Sequence, residues 1–188
     1  MNFKIPLFDL NFDEKETQAA LETIKSKWIS TGPKTTAFEA KFAGLLGVNH
    51  AVALSNCTVA LHLAMKLVGL KSGDEVITAD FTFAATVEVI ALLGLTPVLV
   101  DVEPHTFNID VDAIKKAITP KTKAIVPVHL FGQCANMDAI MELAEAHNLF
   151  VIESFTINAT SSTYIKSLYL SNEPFIVTLG SLFKNCPK

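Results

Sequence analysis

In SNCTVALHLAM, which starts at Ser55, two hydroxyls, an amide and a thiol (Ser55, Thr58, Asn56 and Cys57) lie between a short apolar run and a segment of helical spacing. The first N–H groups of a helix have no intrahelical partner and sit at the positive end of its dipole, so small polar residues there can seat a phosphate. The same residues would serve equally as an ordinary N-cap. TADFTFAATVEV places Phe81 and Phe83 after the run EVITA. Rings at such a point can stack on a flat cofactor, although phenylalanine is more often core. VPVHLFGQ puts His129 and Gln133 after another run, and LFVIESF brings Glu153 to the tip of a third, followed by Ser154 with no second acid beside it. A lone histidine in such a place is usually a hydrogen-bonded loop residue, and Cys57 is read as a small packing residue rather than a nucleophile.

These positions share one feature: each follows a short apolar run rich in Val and Ile. HAVALS, EVITA, PVLVD, AIVPV and LFVIE are separated almost everywhere by segments of helical spacing, so strands alternate with helices. Near-continuous apolar strands require a sheet covered on both faces, hence an α/β fold with a mostly parallel sheet in a three-layer α/β/α arrangement. Ligands of such sheets bind beyond the carboxyl ends of the strands, where the polar residues above fall. Upstream, Asp13 as N-cap with Glu16 in a capping box opens a helix reaching Lys27, with Leu21, Ile24 and Trp28 as its apolar stripe. A Gly-Pro turn then precedes a helix from about Thr35 to Leu46, closed by Gly47. The helix beginning near Thr58 is expected to turn Val59, Leu63, Leu67 and Leu70 inward. After about Thr156 the pattern degrades, leaving Phe175 to Leu179 as the one further expected strand.

At 188 residues, with 50% apolar content and 18% charged, the chain has material for a sizeable core. A net charge of −4 offers no general surface for nucleic acid, and no apolar run is long enough to suggest a membrane span. Cys57, Cys134 and Cys186 show no metal-ligand or C-x-x-C spacing, so free thiols and no metal site are expected. The N-terminus carries acids early and lacks an apolar signal core, which points to a cytoplasmic protein.

WISTGP, FEAKFAGLLGVNHAVALSNCTVALHLAM, GDEVITADFTFAATVEVIALLGLTPVLVDVEPHTFNID and AIVPVHLFGQCANMDAI, in this order, resemble the DegT/DnrJ/EryC1/StrS sugar aminotransferases, pyridoxal-phosphate enzymes of the aspartate-aminotransferase fold. The resemblance covers residues 5–153. It implies that residues 1–153 are the N-terminal part of a pyridoxal 5'-phosphate-binding large domain of fold type I, and that 154–188 form a divergent tail. Ser55, Asn56, Cys57 and Thr58 would hold the cofactor phosphate, and Phe83 would pack against its ring. Thr31, Gly32 and His129 would lie near cofactor and substrate. The implied reaction moves an amino group from an amino acid, glutamate being the expected donor, to a keto-sugar nucleotide, in a homodimer whose active sites are shared across the interface.

The chain departs from the family pattern after Glu153. The family follows that glutamate with an aspartate whose carboxylate keeps the cofactor's ring nitrogen protonated, and then supplies a glutamine to the ring oxygen. Here Ser154 and Ile157 stand in those places. Glu153 cannot substitute, because neighbouring strand residues point to opposite faces. GSLFKNCPK resembles the family's lysine motif with residues missing, which makes Lys184 the candidate for the lysine that binds the cofactor and shuttles a proton. A solvated surface lysine is the plain alternative. The second expectation is therefore a catalytically inactive fragment or pseudoenzyme, arising through a deletion or reading-frame change near codon 154. Uncovered sheet faces in such a chain would make it poorly soluble when expressed alone.

Overall fold

Local signals set the helix boundaries. In the computed structural model, which describes residues 12–155, 168–170 and 173–179, α1 (Glu14–Lys25) opens with the expected capping box. The Asp13 N–H donates to Glu16 Oε2 (2.8 Å), and Asp13 Oδ1 accepts from the Lys15 N–H (2.7 Å). The helix ends two residues before the expected Lys27, which itself adopts φ 63°. No residue of α1 is buried, and Leu21, Ile24 and Trp28 are exposed, so the expected stripe covers no core among the described residues. Helix α2 (Pro33–Leu46) begins two residues earlier than the sequence suggested. Proline at a first helical position has the required φ and no N–H to leave unpaired. Gly47 closes α2 at φ 67°, a left-handed conformation that favours glycine.

From there strands and helices alternate: β1 (His50–Leu54), α3 (Cys57–Leu67), β2 (Glu75–Ala79), α4 (Ala84–Leu92), β3 (Thr96–Val100), α5 (Val111–Ala117), β4 (Thr122–Val126), β5 (Val128–His129), α6 (Met137–His147), β6 (Phe150–Val151), β7 (Ser154–Phe155), β8 (Leu168–Leu170) and β9 (Glu173–Leu179). The main sheet runs β1-β9-β8-β6-β4-β2-β3, and β5 pairs with β7 in a two-stranded ribbon. Pairs β1–β9, β6–β4, β4–β2 and β2–β3 are parallel, while β8 is antiparallel to both its neighbours. The expected run AIVPV is split into β4 and β5 at Pro127, which has no N–H for a ladder. LFVIE likewise breaks: Ile152 and Glu153 leave the main sheet before Ser154 pairs with Val128. The expected strand Phe175–Leu179 falls inside β9.

Strand alternation divides the core between two faces, giving the three layers. Val76 of β2 with Ala124 and Val126 of β4 pack against Leu61, Ala64 and Met65 of α3 and Val89 and Ile90 of α4. Ile77 and Ala79 of β2 with Ile125 of β4 pack against Ile114 of α5 and Ile140 and Ala144 of α6 on the other face. The inward face of α3 is thus Ala60, Leu61, Ala64 and Met65, which corrects the expected stripe. Val59, Leu63 and Leu67 are exposed, and Leu70 is partly buried against the core. The reason is steric: two alanines on one face allow α3 to sit close to the sheet, and the helix is apolar nearly all round, so periodicity alone does not choose the face.

Candidate cofactor-binding site

The first turn of α3 stands directly after β1, at the carboxyl end of the sheet. Asn56 is its N-cap, with Oδ1 accepting from the Val59 N–H at 2.9 Å. The first intrahelical bond is Ala60 N–H to Asn56 O, so the N–H groups of Cys57 and Thr58 precede the helical ladder and point outward from its positive end. Ser55, Asn56 and Thr58 are exposed. The cap uses the Asn56 amide and leaves the Ser55 and Thr58 hydroxyls at the surface, where an anion could reach them.

Cys57 joins this turn to the start of β7. Its Sγ lies 3.7 Å from Ser154 Oγ, and the Ser154 N–H donates to Pro127 O at 2.9 Å. Burial pushes the Cys57 thiol up, opposed by its contact with the Ser154 hydroxyl. Cys134 is also pushed up, by burial first and then by the nearby Glu153 charge. Thiols raised in this way are poor nucleophiles. Cys186 and Lys184 lie outside the described residues, as does Ile157.

Glu153 points the other way. Its Oε2 is 3.1 Å from His129 Nε2, and both side chains are buried. His129 Nδ1 accepts the Ala135 N–H at 3.0 Å, which puts the imidazole proton on Nε2 and makes it the donor to the carboxylate. Burial raises the Glu153 carboxyl, and the hydrogen bond from His129 pulls it back down. With His129 only 2% exposed and both ring nitrogens engaged, it anchors the loop Leu130–Ala135 to the tip of β6. Phe83, by contrast, is 71% exposed at the N-cap of α4. Thr31 and Gly32 form the turn into α2: the Trp28 indole N–H donates to Thr31 O (3.0 Å), and a Cβ on Gly32 would collide with that ring. Trp28 is a holder of this turn that sequence reasoning assigned only to an apolar stripe.

This is a doubly covered, mostly parallel sheet whose carboxyl end presents a polar helix start opposite a buried strand tip. The chain belongs to the DegT/DnrJ/EryC1/StrS aminotransferase family, whose profile it matches over residues 11–164. That match extends past Glu153, where the resemblance of the motifs ends, to residue 164. The chain is 47% identical over 151 residues to the spore coat polysaccharide biosynthesis protein SpsC of Bacillus subtilis (80% of this chain, 39% of that protein). It is 46% identical over 153 residues to GDP-perosamine synthase of Caulobacter vibrioides (81% and 41%). Among solved structures, NtdA of Bacillus subtilis with bound cofactor PMP superposes with a TM-score of 0.74 at 33% identity, over 81% of this chain and 38% of that one. The chain thus spans about two-fifths of the length of the curated relatives it matches. The fold is shared with part of the fold-type-I pyridoxal-phosphate aminotransferases, and the family's cofactor is pyridoxal phosphate, which solved relatives hold in PLP and PMP forms.

The residues present fit that cofactor at one end. The α3 turn offers N–H groups and hydroxyls to a phosphate, whereas the wall facing it across Cys57 offers the Ser154 hydroxyl and no carboxylate. Among the described residues, no group of three or more metal-ligating side chains occurs, and no helix is long and apolar enough to cross a membrane.

Proposed function

We propose that this chain contributes the phosphate-binding part of a pyridoxal-phosphate-dependent sugar aminotransferase, whose reaction moves an amino group from an amino acid, glutamate being the proposed donor, to a keto-sugar nucleotide. The observation that carries the proposal is the family match over residues 11–164 together with the intact polar turn of α3 at the carboxyl end of β1. In this reading Ser55, Asn56, Cys57 and Thr58 hold the phosphate, Phe83 covers the cofactor ring, and the Trp28-braced turn at Thr31 and Gly32 borders the substrate. His129 acts through the loop it anchors, since its nitrogens are occupied. When bound, the cofactor supplies the electron sink of amino transfer; Lys184 is the proposed proton carrier beside it. Homodimeric assembly and a cytoplasmic setting belong to the same proposal.

A second reading is favoured by Ser154: a chain that seats the cofactor and does not turn it over. A hydroxyl cannot hold the ring nitrogen protonated as a carboxylate does, and Glu153 is committed to His129. The two readings separate when the full chain is incubated with pyridoxal phosphate, reduced with borohydride and mapped by peptide mass spectrometry. Label confined to Lys184 and abolished by Lys184→Ala supports catalysis. Binding without label at Lys184 supports the second reading, and absence of cofactor binding contradicts both.

A further inference from the structure

Away from the phosphate seat, three phenyl rings from three different strand-end loops meet at the carboxyl edge of the sheet. Phe81 follows β2, Phe107 lies in the loop after β3, and Phe131 follows β5. The Phe81 and Phe107 centroids are 5.5 Å apart, and Phe107 meets Phe131 edge-on at 6.5 Å. The rings nevertheless stay 48%, 44% and 68% exposed, respectively. Phe107 and Phe131 stand at φ 57° and 52°, a left-handed conformation that non-glycine residues seldom adopt and that clusters where ligands are gripped. Asn108 enforces it. This buried amide donates to Gln133 O (3.1 Å) and accepts from the Leu130 N–H (3.1 Å), tying the Phe107 loop to the turn that carries Phe131.

We propose that Phe81, Phe107 and Phe131 form a stacking platform for the nucleobase of a nucleoside-diphosphate substrate, an inference that rests on the aminotransferase reading above. Phenyl rings offer no hydrogen bonds, so the ligand surface they match is flat, and every base has such a face. The carboxylates nearby set its direction. Asp80 is exposed next to Phe81, and Glu103, which accepts the Thr106 hydroxyl at 3.0 Å, lies in the Phe107 loop. These acids can accept N–H groups of a base while repelling its phosphates, which turns the diphosphate inward, toward the start of α3.

The test titrates the full chain with GDP, UDP and pyrophosphate, following binding by calorimetry and by saturation-transfer NMR. The expected result is saturation concentrated on the base protons, with nucleotide affinity reduced roughly tenfold by Phe131→Ser or Phe107→Leu. Phe131 is mostly solvent-exposed, so its variant should keep the parent's melting curve, and Phe107→Leu keeps bulk while removing the flat face. Pyrophosphate binding as tightly as the nucleotides, or unchanged affinity in both variants, would overturn the platform. So would a dimer that Phe131→Ser dissolves without altering nucleotide affinity, which would assign the rings to a contact between copies. A chain that binds pyridoxal phosphate but no nucleotide overturns the platform alone. Base stacking without cofactor binding supports the platform and removes the seat.

Discussion

Position 154 and its neighbour show what one residue's facing decides. Glu153 and Ser154 are adjacent, yet one reaches His129 and the other Cys57, so the carboxylate is held on the wrong side to serve the α3 turn. Because burial outweighs the His129 contact, the Glu153 carboxyl sits above its ordinary value. Its favourable contribution is then full at low pH and lost as pH rises through the raised pKa, where the buried group must ionise. Glu153→Gln should remove this slope: as pH rises from the ordinary carboxylate range through the raised pKa, the parent loses stability relative to the variant, as read from urea midpoints across pH. Parallel pH profiles would contradict the assignment. Ser154→Asp tests the opposite wall. Without cofactor, a carboxylate buried against Cys57 should cost at least about 1 kcal/mol. Pyridoxal phosphate should recover that loss and stabilise the variant more than the parent, measured as the shift in melting temperature.

At the scale of elements, the α3 cap is the feature to break. Asn56→Ala removes the bond to the Val59 N–H and should cost about 1 kcal/mol, seen as a lower thermal midpoint. Much at this scale was legible in sequence, since capping residues and strand runs carry local signals: the Asp13–Glu16 box, the Gly47 stop and the alternating apolar runs all fall where the chain places them. The inward face of α3 was not legible, because Val59–Leu63–Leu67 and Leu61–Ala64–Met65 are both apolar and only the depth of the sheet contact selects between them. The His129–Glu153 pair had a usable signal, as both residues follow strands that are neighbours in a parallel sheet. The Cys57–Ser154 contact and the Asn108 bridge had none: the first joins residues 97 positions apart, and the second reaches the turn after β5 from an irregular loop.

For the whole molecule, the pattern is a family fold with the polar start of α3 in place and apolar surface widely displayed. Val52 and Leu99, on the two strands that bound the main sheet, are exposed, as are Leu63, Leu67 and Leu92 on the helices of one layer. Surfaces of this kind favour association, so the chain expressed alone should sediment in part as aggregate, and a sharp monomer boundary in the ultracentrifuge would contradict that expectation. The central claim is that a cofactor phosphate seats on the first turn of α3. The measurement that tests it most directly is a titration of the ¹⁵N-labelled chain with pyridoxamine phosphate, which carries no aldehyde to modify stray lysines, beside pyridoxamine lacking the phosphate. The backbone amides of Cys57 and Thr58 should shift with the phosphate ester and stay still with pyridoxamine. Unmoved amides at these two residues, or equal shifts with both ligands, would contradict it.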